Sequence, residues 1–204
     1  MPNDFLPFLT RRSFVTGLLG VTALTVVPLP ALAFDVDSAR AMIDKAIGEV
    51  NRVINSGKSE VAMYGDFEAI FTRYADVPII AQSALGVAAR SASASQMKAF
   101  TLAYRGYISR KYGRRFREFI GGKIEVVDAK PLKSYYEVIS VARLRGQAPF
   151  DLRWHVSSKS GKDLFFNIII EGVNMLASER TEIGAMLDKR RGDINALIQD
   201  LKTA

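Results

Sequence analysis

From Asp37 to Ile54 the apolar residues Ile43, Ile47, Val50 and Ile54 recur at spacings of three and four, with Lys45, Glu49 and Asn51 between them, which predicts an amphipathic helix. After Ser59 a second helical stretch puts Phe67, Ile70, Phe71 and Tyr74 on one side, and Pro78 sets a boundary before the apolar segment from Ile79 to Ala89. Ser93 or Ser95 is placed to cap a long helix whose Phe100, Tyr104, Tyr107, Ile108 and Tyr112 form an aromatic stripe, continued by Phe116 and Phe119 and stopped by Gly121 and Gly122.

Beyond those glycines the period changes from near 3.6 to 2, predicting strands near 123–129, 134–145, 149–158 and 163–171. Lys130-Pro131, Gly146 with Pro149, and Ser160-Gly161 supply turn chemistry between them. Links this short join antiparallel neighbours, because parallel ones need long crossovers. The third strand sets Phe150, Leu152, Trp154 and Val156 against Asp151, Arg153, His155 and Ser157, one face inside and the other wet. In the fourth, Leu164, Phe166, Ile168 and Ile170 share a face, and Phe165 and Ile169 make the opposite face partly apolar. Helical spacing returns with Ile183, Met186 and Leu187, breaks near Gly192, and resumes with Ile194, Leu197, Ile198 and Leu201. The expected class is α+β: N-terminal helices and a long aromatic helix packed on a curved four-stranded antiparallel sheet, followed by C-terminal helices.

The first 33 residues read differently. Arg11 and Arg12 precede Ser13-Phe14 and an uncharged run from Val15 to Val27, and Pro28 and Pro30 end that run ahead of Ala31-Leu32-Ala33. The run is too short and too diluted by glycine and threonine to span a bilayer, and small residues at its end suit signal cleavage. The segment resembles a twin-arginine export signal; an ordinary secretory signal also accommodates adjacent arginines, and an uncleaved anchor is the remaining alternative. Cleavage after Ala33 leaves one domain, residues 34–204, exported to the periplasm.

Charge and composition narrow the chemistry. The formal charge is +7, and loss of Asp4, Arg11 and Arg12 still leaves a basic chain, suited to an anionic partner. Nucleic acid is the poorer choice for that partner, given the export signal and the lack of any recognition-helix, zinc-finger or RNP-type pattern. With 0 cysteines and 1 histidine, disulfides, thiolate nucleophiles and multi-histidine metal sites are excluded. No GxSxG, GxxxxGK[ST] or HExxH pattern occurs, and no cofactor or metal is called for. The basic run Arg110, Lys111, Arg114, Arg115 and Arg117 is either a solvated helix end or a docking site for anionic head groups or an acidic partner. Lys189, Arg190 and Arg191 form a weaker second cluster. The apolar faces of sheet and aromatic helix either fill a dry core or enclose a pocket, at or above the upper end of the roughly 300 to 1,000 Å³ usual for ligand sites.

Gly146 and Pro149 before the Trp154 strand, then FFNIIIEGVNM from Phe165 to Met175, Arg180, Glu182 and GDINALIQDL from Gly192, together resemble the MlaC family, as does the helix bearing Gln96, Phe100, Tyr104, Tyr112 and Gly113. That family is also described as toluene-tolerance auxiliary proteins of an ABC transport system. The resemblance implies a periplasmic, non-catalytic phospholipid carrier with a deep apolar cavity for acyl tails. Its implied role is to shuttle lipid between an outer-membrane lipoprotein complex and an inner-membrane MCE-type ABC transporter complex, maintaining outer-membrane lipid asymmetry, as a monomer without cofactor. At about 0.8 kcal/mol per methylene, exposing two tails of roughly fifteen methylenes each costs over 20 kcal/mol, so an apolar carrier makes transfer nearly thermoneutral. The expected tail-lining residues are Phe100, Tyr104, Ile108, Phe116, Trp154, Phe166, Ile168, Ile170, Val173 and Met175. Asn167 and Asn174 stand where the family pattern suggests aspartate and serine, which leaves open a related branch associated with hopanoid-producing bacteria and another lipid. A different class, an isomerase or dehydratase acting on an apolar substrate, would need His155, Asp151 or Glu171 to reach the cavity.

Overall fold

The computed structural model describes residues 35–204, apart from the side chains of Phe116 and Arg117. The expected export signal, its cleavage site and the apolar run at 15–27 lie outside the described residues. Among those described, no helix is long and apolar enough to cross a membrane.

Helix α1 (Val36–Ile54) begins where Asp35 accepts a hydrogen bond from the Ser38 backbone N–H at 2.8 Å, satisfying one of the four free N–H groups of a helix start. Ser59 does the same for α2 (Glu60–Tyr74), and Asp76 for α3 (Val77–Leu85). Pro78 is in the first turn of α3 instead of ahead of it, a position that costs nothing because the missing N–H has no helical partner there. The apolar segment then leaves the α-helix at Leu85 and finishes as a 3-10 turn, Gly86–Arg90.

In the long helix α4 (Ala94–Arg115), Ser93 Oγ accepts from the Gln96 N–H at 3.2 Å while Gln96 Oε1 accepts from the Ser93 N–H at 3.0 Å, a reciprocal capping box. A 3-10 turn, Phe116–Phe119, follows, and the chain reverses at Gly121 with φ +76°. Gly122 is needed for room: a Cβ there would lie 2.7 Å from Leu144 Cδ2 and 2.9 Å from the Arg143 carbonyl oxygen.

The sheet has five strands in the order β1-β2-β3-β4-β5: Lys123–Leu132, Tyr135–Arg143, Phe150–Ser157, Leu164–Ile170 and Val173–Asn174. All pairs are antiparallel. The expected four strands are therefore supplemented by a fifth, made possible by a two-residue reversal at Glu171 (φ +50°) and Gly172 (φ +81°), positive φ at both being what a tight hairpin demands. The first turn falls at Lys133-Ser134, three residues past the expected position; Lys130 and Pro131 belong to β1, an edge strand, where proline's missing N–H leaves no neighbour unpaired.

A bulge corrects the expected faces of β4. Val156 pairs with Phe165 but His155 with Asn167, so one extra residue intervenes and the alternation slips. Phe165 turns inward, its ring 5.3 Å from Trp154 and 6.3 Å from Phe71. Phe166 turns to the opposite face, 5.4 Å from Tyr135 and 5.8 Å from His155. His155 is accordingly buried under these rings instead of facing water.

Helices α5 (Met175–Lys189) and α6 (Ile194–Thr203) complete the fold. Helices α1, α3 and α5 touch the sheet, whereas α4 packs mainly on α2, α3 and α6. The core lies between, around Val138, Leu152, Val156, Phe100, Ile183 and Leu197. Gly122→Ala is expected to destabilise the protein by about 1–3 kcal/mol through overpacking. Gly65→Ala, where nothing lies within 4 Å in the middle of α2, should stabilise by about 0.5–1 kcal/mol; opposite shifts in urea midpoints check both.

Candidate functional site

One face of α4 carries Tyr104, Ile108, Tyr112 and Arg115, at spacings of four, four and three, which align on a helix. Across from it stand Leu152 and Trp154 of β3 and Phe165, Ile168 and Ile170 of β4. Because α4 packs on helices more than on strands, these surfaces bound a cavity of about 280 Å³. Ile47 and Val50 of α1, Phe67, Ile70 and Phe71 of α2, Phe119, Ile124 and Phe150 close its sides, and Met175 and Leu176 at the start of α5 complete them. The volume is smaller than the sequence suggests because this many aromatic rings occupy the space between helices and sheet.

The polar members of the wall are unevenly placed. Arg115, Glu118, Gln147 and Glu171 border the cavity and are exposed, marking its rim. Glu179 borders it too but is buried. Its Oε1 accepts from Lys111 Nζ at 2.7 Å and from the Tyr112 hydroxyl. Glu182 accepts from Lys111 and from the Tyr107 hydroxyl. Burial raises the pKa of Tyr112 and Tyr107, and the carboxylates they bond push the same way. Burial works against the charge on Lys111, but its bonds to Glu179 and Glu182 outweigh this and raise its pKa. The cluster pins α4 to α5.

Of the expected tail-lining residues, Tyr104, Ile108, Trp154, Ile168, Ile170 and Met175 border the cavity. Phe166 borders it as well, although its ring stacks on the far face of the sheet. Phe100 does not: it is fully buried one turn before Tyr104 and stacks on that ring at 5.7 Å. Val173 does not either, being 54% exposed on the short β5, because the hairpin at Glu171-Gly172 carries it away from the interior. The Phe116 side chain lies outside those described.

The basic run is also divided. Arg110 donates to the backbone carbonyls of Leu201 at 2.6 Å and Ala204 at 2.9 Å, closing the C-terminus of α6, and Lys111 is held by its two glutamates. Arg114 and Arg115 remain exposed, and the Arg117 side chain is not among those described. A docking surface of five cations thus reduces to two described ones.

Phe150 and Leu152, Phe165 and Glu179 are among the wall residues that sequence reasoning missed, as are those of α1 and α2, Tyr112, Phe119, Ile124 and Leu176. The first two share the Trp154 face by simple alternation and were legible; Phe165 was hidden by the bulge. Glu179 had a signal too, since it interrupts the apolar series Leu176, Ile183, Leu187 at helical spacing.

On the outer face, Glu137 Oε2 lies 3.5 Å from His155 Nε2, and Lys130 Nζ lies 3.1 Å from Glu137 Oε1. Asn167 Nδ2 is 3.4 Å from His155 Nδ1, and Asn167 Oδ1 accepts from the Leu176 N–H at 3.2 Å. Asn174 caps α5 by accepting from the Ala177 N–H at 3.1 Å. Both asparagines thus hold the start of α5 through a side-chain oxygen, which aspartate or serine also supplies, while Asn167 adds the Nδ2 contact with His155. No group of metal-binding side chains occurs among the described residues.

The family model of the MlaC protein matches residues 44–203. Among solved structures, the chain resembles a phospholipid-binding protein from Ralstonia solanacearum, solved in complex with a phospholipid, with a TM-score of 0.69 at 18% identity over 80% of this chain and 94% of that one.

Burial lowers the pKa of His155 below its ordinary 6.5 more than Glu137 raises it. The folded state therefore binds fewer protons than the unfolded one below that value, and stability falls as pH drops from about 6.5 through the lower folded pKa. Thermal unfolding between pH 7.5 and 5 should show this loss, and His155→Gln should flatten it; a slope unchanged in the variant contradicts the assignment.

Proposed function

The chain belongs to the MlaC family, and on that premise we propose that its cavity binds a phospholipid by the acyl tails. The observation that carries this reading is the apolar space between α4 and strands β3 and β4, opening at a rim that bears Arg115, Glu118, Gln147 and Glu171. Tails buried there leave a charged head group at the rim, beside Arg115. A two-tailed lipid exceeds the drug-sized ligands that pockets of roughly 300 to 1,000 Å³ accept, so loading a cavity of about 280 Å³ pushes the aromatic walls apart, with Phe71, Phe119 and Phe150 giving way.

The reading favours a carrier over an enzyme. Of the groups an acid–base role would draw on, Asp151 and His155 do not border the cavity, and Glu171 borders it at its exposed rim. Glu179 is committed to Lys111 and Tyr112. The finer role follows the family: export to the periplasm by the N-terminal 33 residues, and shuttling between an outer-membrane lipoprotein complex and an inner-membrane MCE-type ABC transporter complex, with Arg114 and Arg115 available for docking. The solved phospholipid complex of the similar Ralstonia solanacearum protein supports the ligand class.

Native mass spectrometry of protein recovered from the envelope without detergent tests the reading. The expected spectrum shows a chain starting at Phe34 with about one diacyl phospholipid. Ile168→Trp, which fills the cavity, should lower loading at least several-fold while the protein stays folded, and Val173→Glu, on the exposed hairpin, should load normally. Empty protein that takes up no added phospholipid would overturn the proposal, and a polycyclic lipid in place of a diacyl one would move it to the related branch.

A further inference from the structure

Three tyrosines of α4 have buried or half-buried hydroxyls, and two of them reach carboxylates: Tyr107 bonds Glu182 and Tyr112 bonds Glu179. The third, Tyr104, does not. Its side chain is wholly buried, it borders the cavity, and its hydroxyl has no hydrogen-bond partner among the described residues. Glu179 Oε2, in the same wall, is likewise buried without a partner.

A buried donor without an acceptor forfeits its hydration with nothing returned, and a phenylalanine would fill the ring's place at no such cost, as Phe100 does one turn earlier. Burial, and then the nearby charge of Glu179, pushes the Tyr104 pKa well above 10, so the hydroxyl keeps its proton and remains a donor. The rim residue Arg115 is eleven positions further along α4, a distance of about 16 Å at the helical rise per residue.

The geometry points to a hydroxyl-reading subsite in the cavity, set at the buried Tyr104 Oη with Glu179 in the same wall, that takes a lipid carrying a hydroxyl on its apolar body. This rests on the lipid-carrier reading of the same cavity and narrows it. The hydroxyl is far from the head group, because the head group sits at the rim. The oxygen of such a hydroxyl accepts from the Tyr104 O–H, or its O–H donates to Glu179, either of which satisfies a group that an unsubstituted chain leaves bare.

Displacement of a fluorescent-tailed phospholipid from the full-length protein by stearate, 2-hydroxystearate and 12-hydroxystearate tests this. For the wild type, 12-hydroxystearate should compete at about 5-fold or more lower concentration than stearate. The 2-hydroxy isomer, with its hydroxyl near the rim, should behave like stearate. Tyr104→Phe should remove most of the preference, bringing 12-hydroxystearate and stearate to similar competing concentrations. Equal competition by stearate and 12-hydroxystearate in the wild type overturns the subsite and leaves water as the partner of these groups. A preference that survives undiminished in Tyr104→Phe overturns it as well. If the variant does not fold, the wild-type comparison decides alone. A wild-type protein that binds neither the probe nor any fatty acid would fail the carrier reading itself, a distinct result.

Discussion

Glu179 is a carboxylate almost wholly removed from water, and the cavity exists in its present form because that charge is answered from one direction. An isolated buried carboxylate costs several kcal/mol. Lys111 and Tyr112, both on α4, offset that cost by bonding the same oxygen, Oε1. The pairing ties α4 to α5. Helix α5 is in turn fixed to β4 by Asn167, which accepts from the backbone of Leu176, and by its capping residue Asn174, which pairs with Ile169 of β4. Long helix, second helix and strand are thereby held as three sides of one space, with α4 spaced away from the strands by its packing on α2, α3 and α6.

The same arrangement explains the division of the basic run. Four cations in the sequence from Arg110 to Arg115 look equivalent as charges, but helical geometry sends them to different neighbours. Arg110 meets the open carbonyls at the end of α6, where cations complement the helix terminus. Lys111 turns to the α5 glutamates. Arg114 and Arg115 face solvent, and Arg115 alone of the described four borders the cavity. Charge counts describe a surface only after internal partners have claimed their share.

Much of the fold was legible because period and capping agreed with the final packing. Helices α1, α2, α4 and α6 and strands β2 and β3 lie close to where hydrophobic spacing puts them, and Ser93 with Gln96 forms the cap its type suggests. Legibility failed where one residue changes a face. Alternation in β4 predicts Phe166 inward; the bulge opposite His155 sends Phe165 inward instead and buries His155 beneath Tyr135 and Phe166. Tight turns were the other weak point. Lys133 and Glu171 adopt positive φ although neither is glycine, so the β1–β2 turn and the β4–β5 hairpin left little trace in composition. The Glu171-Gly172 hairpin both created β5 and removed Val173 from the wall. The buried carboxylate was visible only as a polar residue inside an apolar helical series.

Wall and rim together define what the space favours: aromatic and branched side chains along the interior, unlike charges where it meets solvent, and a buried polar end on α4. The proposed lipid-carrier function puts acyl chains between α4 and strands β3 and β4. Photocrosslinking with a phospholipid carrying a diazirine near its tail end, followed by peptide mapping, tests it most directly. Adducts are expected on the α4 segment from Tyr104 to Tyr112 and on β3 and β4 around Trp154 and Ile168. Labelling confined to exposed apolar positions such as Val61, Val87 or Leu102 would contradict it.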